Sequence, residues 1–219
     1  MFPLRDRIPS QRPPVMTLIL IGINLFVFYQ SNLQGSLVIE EIYARYALIP
    51  GHFDLSRPFA SITPLITSIF LHGNLAHLIS NMWALWLFGD NVEDRMGMLN
   101  YLVFYLLCGM VAGLSHIYVY PNSLVPTIGA SGAVAGIMGA YFILYPQARI
   151  LTLVPIFIFP WFVDIPAFVY LGFWLLIQII GGTSALTGGA VQIAFWAHIG
   201  GFVAGILLHR LFMVEETSP

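Results

Sequence analysis

The sequence predicts an all-α membrane protein, a bundle of six transmembrane helices whose fourth member is short and starts inside the membrane. Three observations carry this expectation. The 219 residues are 58% hydrophobic and only 8% charged, with a mean hydropathy of +0.85, whereas a soluble domain carries about 25% charged residues. Such a chain cannot cover a water-facing surface. Six apolar segments follow one another at Val15–Leu33, Leu65–Phe88, Leu99–Val119, Ser131–Tyr145, Pro166–Ile180 and Val191–Phe212. The fourth reaches only about 22 Å at 1.5 Å per residue before Pro146 stops it, against a hydrocarbon core of about 30 Å.

The elements follow in order. Residues 1–14, with "PLRDRIPSQRPP", read as a short disordered cytoplasmic tail. The first apolar run is about as long as a full span and lacks a small-x-small cleavage site, so it is expected to be retained rather than removed as a signal. Gln34–Pro64 is the longest connection and holds Glu40, Glu41, Arg45, Asp54 and Arg57. Ile150–Val163 is apolar but interrupted by Pro155 and Pro160, and reads as an interfacial or re-entrant connection. Residues 15–212 form one domain and 213–219 a C-terminal tail. With the N-terminus inside, Arg5, Arg7, Arg12, Arg95, Arg149 and Arg210 gather on the cytoplasmic side, leaving Arg45 and Arg57 outside. The positive-inside rule then places both termini in the cytoplasm.

Composition also excludes. There is no lysine, and eight arginines against ten acids give a net charge of −2, which argues against nucleic acid as a partner. Cys108 is the lone cysteine, so no internal disulfide or Cys-based metal site is expected. No cofactor or metal is called for.

Polar groups are expensive in lipid, so their positions are informative. In this topology the second, fourth and sixth helices all descend from the outside. Each carries polar residues near its outer end: His72, His77 and Asn81 on the second, Ser131 on the fourth, His198 on the sixth. Singly, a transmembrane Ser usually packs or back-bonds, and a His or Asn can simply bridge helices. Together at one depth they form a candidate site. Small-xxx-small stripes at Gly132/Gly136 and Gly201/Gly205 would let the fourth and sixth helices approach closely. Close approach brings a Ser Oγ and a His Nε2 within the roughly 3 Å that proton transfer needs. The short fourth helix places its N-terminus below the membrane surface, where irregular backbone is tolerated only inside protein or beside water. Unpaired N–H groups and the positive helix end there favour a developing anion.

The segments "HGNLAHLISN" at 72–81, "GASG" at 129–132 and "AHIGGFVAG" at 197–205, with "LFGDNVEDRMG" after the second helix, resemble the signatures of the rhomboid family of intramembrane serine proteases. The likeness covers roughly residues 15–212, in order. It implies a Ser–His dyad with Ser131 as nucleophile and His198 as general base. It also implies that His77, Asn81 and the Ser131 backbone N–H bind the oxyanion, and that His72 is structural. Its implied partners are the lipid bilayer and transmembrane substrates, which should carry helix-weakening residues near the cleaved bond. A bacterial or archaeal cell membrane is the expected location.

Two positions depart from the family pattern. Ala135 stands where an aromatic often packs on the catalytic imidazole, so another group, such as a neighbouring aromatic, must orient His198. Thr63 and Pro64 stand where some members have a Trp–Arg pair. The short fifth helix, beginning at a proline, is expected to form the mobile side of the entrance. Two rivals remain: an inactive relative that binds membrane helices, and a small transporter. The transporter normally needs an intramembrane acid, which these spans lack. HExxH, the motif of a zinc protease, is absent as well.

Overall fold

A computed structural model describes residues 1–32, 36–156, 159–187 and 193–214. Helix α1 (Val15–Asn32) starts just after Pro13 and Pro14, residues suited to a helix start. Its first-turn N–H groups are taken by Glu93, whose carboxylate accepts from Met16 N, Thr17 N and the Thr17 hydroxyl, each at 2.8 Å. A carboxylate at a helix N-terminus is favoured by the macrodipole, and bonds to a charged acceptor are the strong kind. Next to it, Asp94 accepts from Gln11 N at 2.6 Å and Arg12 N at 3.0 Å. The acidic "GDNVEDRM" stretch is therefore a clamp on the start of the chain.

The long connection after α1 is structured. It contains α2 (Ser36–Tyr46), a 3₁₀ turn at Pro50–His52 and α3 (Pro58–Thr67), followed by a second 3₁₀ turn, Ser68–Phe70. The second predicted span, Leu65–Phe88, is not continuous. The Pro58–Phe70 helical stretch meets α4 (Leu75–Met96) at 86°. Asn74 explains the break: it is extended and caps α4 by accepting from His77 N at 2.9 Å. The span thus shifts toward the C-terminus and absorbs the acidic motif. Gly97, at φ +71°, ends α4 and leads directly into α5 (Met98–Val119). A side chain is disfavoured at that angle.

Helix α6 (Ser131–Leu144) is the axis of the bundle, with Gly132 to Tyr141 all buried. It is apolar all round, as a fully enclosed helix should be. Helices α7 (Ala167–Leu186) and α8 (Phe195–Phe212) complete the set. Helix α7 is longer than the predicted Pro166–Ile180 segment. Helix α8 starts after the predicted Val191, a residue outside the described ones. Helices α1, α5, α7 and α8 are long and apolar enough to cross a membrane, and the bent pair with α4 makes a fifth candidate. The chain is an integral membrane protein with a mostly helical fold.

The all-α expectation is corrected by a three-stranded antiparallel sheet, ordered β1–β2–β3. Strand β2 (Arg149–Ile156) and β3 (Phe159–Pro166) come from the apolar stretch predicted to be re-entrant. Its Ile, Val, Thr, Phe and Trp residues suit strands. Pro155 and Pro160 pair with each other next to Ile156 and Phe159, at the end of the ladder where the two strands connect, where they interrupt it least. Strand β1 (Phe2–Asp6) adds to β2, so the tail predicted to be disordered is ordered. The Trp83 indole donates to Pro3 O at 2.7 Å and stacks on Phe2. Asp6 accepts from the Tyr141 hydroxyl at 2.7 Å, and burial raises its carboxyl above the usual 3.8. Arg7 pairs with Asp164 at 3.0 Å on the surface, where such pairs contribute little. The sheet, the α4–α5 joint and Val214, bonded to Arg95 O at 3.0 Å, lie at the Leu144 end of α6. Ser131 is at the other end.

Candidate active site

The nucleophile candidate is held by the loop that precedes it. Thr127 and Leu48 exchange backbone bonds at 2.7 and 3.1 Å, and Gly129 N donates to Ser68 O at 2.9 Å. The first connection thus grips the approach to α6. Gly129 adopts φ +121°, and a Cβ there would fall 2.6 Å from the His77 ring. Both the angle and the space demand glycine. Ser131 is the first residue of α6, where first-turn N–H groups have no partner within the helix.

His198 sits in the first turn of α8, and its Nε2 lies 2.8 Å from Ser131 Oγ. The glycine stripes explain how two short side chains meet. A Cβ on Gly201 would strike the carbonyl oxygen of Gly132, and one on Gly205 that of Gly136. Backbone therefore touches backbone between α8 and α6. The stripe on α6 works differently from expectation. Cβ atoms on Gly132 and Gly136 would collide with Ala112 and Cys108 of α5, so these glycines admit α5, while Gly201 and Gly205 admit α6.

His77 and Asn81, one turn apart on α4, border the same point. Asn81 is 5% exposed, and its Nδ2 has no hydrogen-bond partner among the described residues. A buried unpaired donor is costly, so its presence beside Gly129 marks a place for an acceptor. His72 lies in the break before α4, edge-on behind His77 with ring centroids 5.1 Å apart. A cavity of about 870 Å³ joins Ser131, His198, His77, Asn81 and Trp174, and reaches Phe2 and Pro3. No group of three or more potential metal-ligating side chains occurs among the described residues.

Two groups on α7 address His198. The Trp174 ring lies 5.9 Å away, centroid to centroid, at 34°. Gln178 was not singled out from the sequence, yet its Oε1 is 2.8 Å from His198 Nδ1. A lone amide in an otherwise apolar span was the available signal.

Residues 60–215 match the family model described as "Rhomboid domain". The chain is 30% identical over 200 residues to "Rhomboid protein 1, mitochondrial" of Saccharomyces cerevisiae, covering 89% of this chain and 52% of that protein. It is 28% identical over 127 residues to "Rhomboid protease GluP" of Bacillus subtilis, 58% of this chain and 24% of that one. It is 29% identical over 100 residues to human "Presenilin-associated rhomboid-like protein, mitochondrial", 44% and 26%. The chain thus spans about half the length of the yeast relative and about a quarter of the other two.

Proposed function

The chain belongs to the rhomboid family, and from that premise we propose that it is an intramembrane serine endopeptidase that cleaves transmembrane substrates with a Ser131–His198 dyad. The observation that carries the reading is the 2.8 Å approach of Ser131 Oγ to His198 Nε2 at the head of a short helix. In the reaction, His198 Nε2 takes the hydroxyl proton as Oγ attacks the scissile carbonyl. The oxygen of the tetrahedral intermediate accepts bonds from Ser131 N–H, Asn81 Nδ2 and His77. His198 then returns the proton to the leaving amine, and a water repeats the cycle on the acyl-enzyme. An amide, an imidazole N–H and a backbone N–H are the donors such an anion requires.

The same reading assigns six membrane passages, α1, α4, α5, α6, α7 and α8, with α6 starting below the surface. Its 14 residues support that, at about 21 Å against a core of about 30 Å. The protease domain is residues 15–212, and both termini face the cytoplasm of a bacterial or archaeal cell. The arginine distribution supports the orientation, and reporter fusions at each end test it. Mitochondrial names belong to several relatives, so membrane fractionation tests the location. Substrates are helices that unwind readily near the scissile bond.

The deciding experiment incubates purified protein with a single-span substrate carrying Gly and Pro, beside Ser131→Ala. Cleavage by the first alone is expected, with a fluorophosphonate probe attached at Ser131. A wild-type protein that neither cleaves nor takes up the probe is an inactive helix-binding relative.

A further inference from the structure

We propose that Gln178 is the positioning residue of the dyad, an amide on α7 that fixes the tautomer and ring plane of His198. The inference rests on the dyad reading above and adds to it the third group that holds the base.

The geometry determines which end of the amide does what. Gln178 Nε2 lies 3.3 Å from Trp174 O, a carbonyl that can only accept. The atom facing it must be the NH₂ group. The other end, Oε1, is then an acceptor, 2.8 Å from His198 Nδ1. Nδ1 must carry the hydrogen, which leaves Nε2 with its lone pair facing Ser131 Oγ at 2.8 Å. This is the tautomer a general base needs. The opposite tautomer would set a lone pair against the amide oxygen, losing that bond, and would turn an N–H toward Ser131 Oγ, which could then only accept.

The site is also closed to alternatives. Gln178 is 7% exposed, so its polar atoms depend on these two partners. Nδ1 has Gln178 Oε1 at 2.8 Å, and the Trp174 ring lies tilted beside the imidazole. Gly181 and Gly182, one turn beyond Gln178, let the rings of Phe195 and Trp196 seat against α7, which fixes the height of the amide relative to α8. A neutral acceptor suffices here, because it selects the tautomer without placing a carboxylate in lipid.

The test compares Gln178→Leu with Gln178→Glu in the full-length protein. Leu preserves packing and removes the acceptor, whereas Glu preserves an acceptor facing Nδ1, gives up the donor to Trp174 O and adds a buried charge. For a positioning residue, Leu should lower kcat about 10–100-fold with KM unchanged, the scale of a base displaced by about 1 Å. Glu should then be the more active of the two. Fluorophosphonate labelling of Ser131 should slow in parallel with kcat. A residue that only packs α7 gives the reverse order, Leu active and Glu impaired, and that order overturns the proposal. A second readout does not depend on the Gln178 variants. ¹⁵N spectra of histidine-labelled wild-type protein, assigned by difference against His198→Phe, should show the Nδ1–H tautomer of His198. An Nε2–H tautomer refutes the proposal. Wild-type protein inert to substrate and probe refutes the dyad itself, whereas a Gln178→Leu variant labelled at the wild-type rate refutes only the role of Gln178.

Discussion

Gly201→Ala is the sharpest perturbation of the site that leaves its chemistry untouched. The added methyl would fall on the carbonyl oxygen of Gly132, well inside the 3.4 Å at which ordinary contact begins. Neither partner is the end of a flexible side chain, so relief requires α8 to move away from α6 by more than about 1 Å. His198 lies one turn above Gly201 and moves with it. The 2.8 Å contact with Ser131 Oγ then stretches beyond hydrogen-bonding range. A misplacement of about 1 Å costs on the order of 10²-fold in rate, and overpacking of this kind costs about 1–3 kcal/mol in stability. Gly136→Ala makes the control. Its methyl strikes Cys108 of α5 hardest and only presses on Gly201 O of α8, at 3.3 Å, so stability should fall while the dyad distance holds better. Initial cleavage rates and melting temperatures in detergent, taken on both variants, separate the two effects. If Gly201→Ala cleaves at the wild-type rate, backbone contact does not set the dyad distance and the reasoning is wrong.

Three further outcomes are expected. Ser131→Ala and His198→Ala should each abolish cleavage, and the double variant should be no worse than either, because the pair acts as a unit. Asn81→Ala should lower kcat by about 10²–10³-fold, the usual cost of one oxyanion donor; an effect confined to KM would make Asn81 a substrate-binding group instead. For Asp6 the raised carboxyl has a definite sign: the folded state holds its proton more tightly than the unfolded one. Its contribution is therefore complete below the ordinary 3.8 and is lost as pH rises through the raised value. Asp6→Asn keeps an acceptor for Tyr141 without titrating, so its melting temperature should gain on wild type as pH climbs from about 4 toward neutrality. A constant difference across that range would refute the assignment.

The parts of this fold legible in the sequence are those governed by hydropathy and by residue types that lipid makes costly. Ser131, His198, His77 and Asn81 stood out because a polar side chain in an apolar helix demands an explanation, and the structure brings all four to one cavity. Helix α6 ends within one residue of the predicted boundary because Pro146 leaves little latitude. The strands were missed because an apolar run of strand length and one of buried-helix length look alike by periodicity. Their pairing with residues near Met1 is a long-range fact that no local pattern contains. The bend before α4 depended on one Asn capping a helix inside a hydrophobic segment. Gln178 was passed over for a different reason: an isolated amide carries no partner in sequence, and its partner is 20 residues away across a helix interface.

Strand β1 has a mechanical consequence for the base. It is fixed to α4 through Trp83 and Phe2 and to the hairpin through β2, and β3 runs straight into α7. Ala167 N and Phe168 N also bond back to Ala148 O and Pro146 O. The lower end of α7 is thereby laced to α4, so any swing of α7 is a lever pivoting about Ala167. Gln178 rides about 16 Å along that lever, at 1.5 Å per residue. A tilt of about 5° displaces it by about 1.4 Å, enough to part a 2.8 Å hydrogen bond. A helix leaning outward to admit a substrate would release the imidazole before it had opened a passage, and only its return would set the ring again.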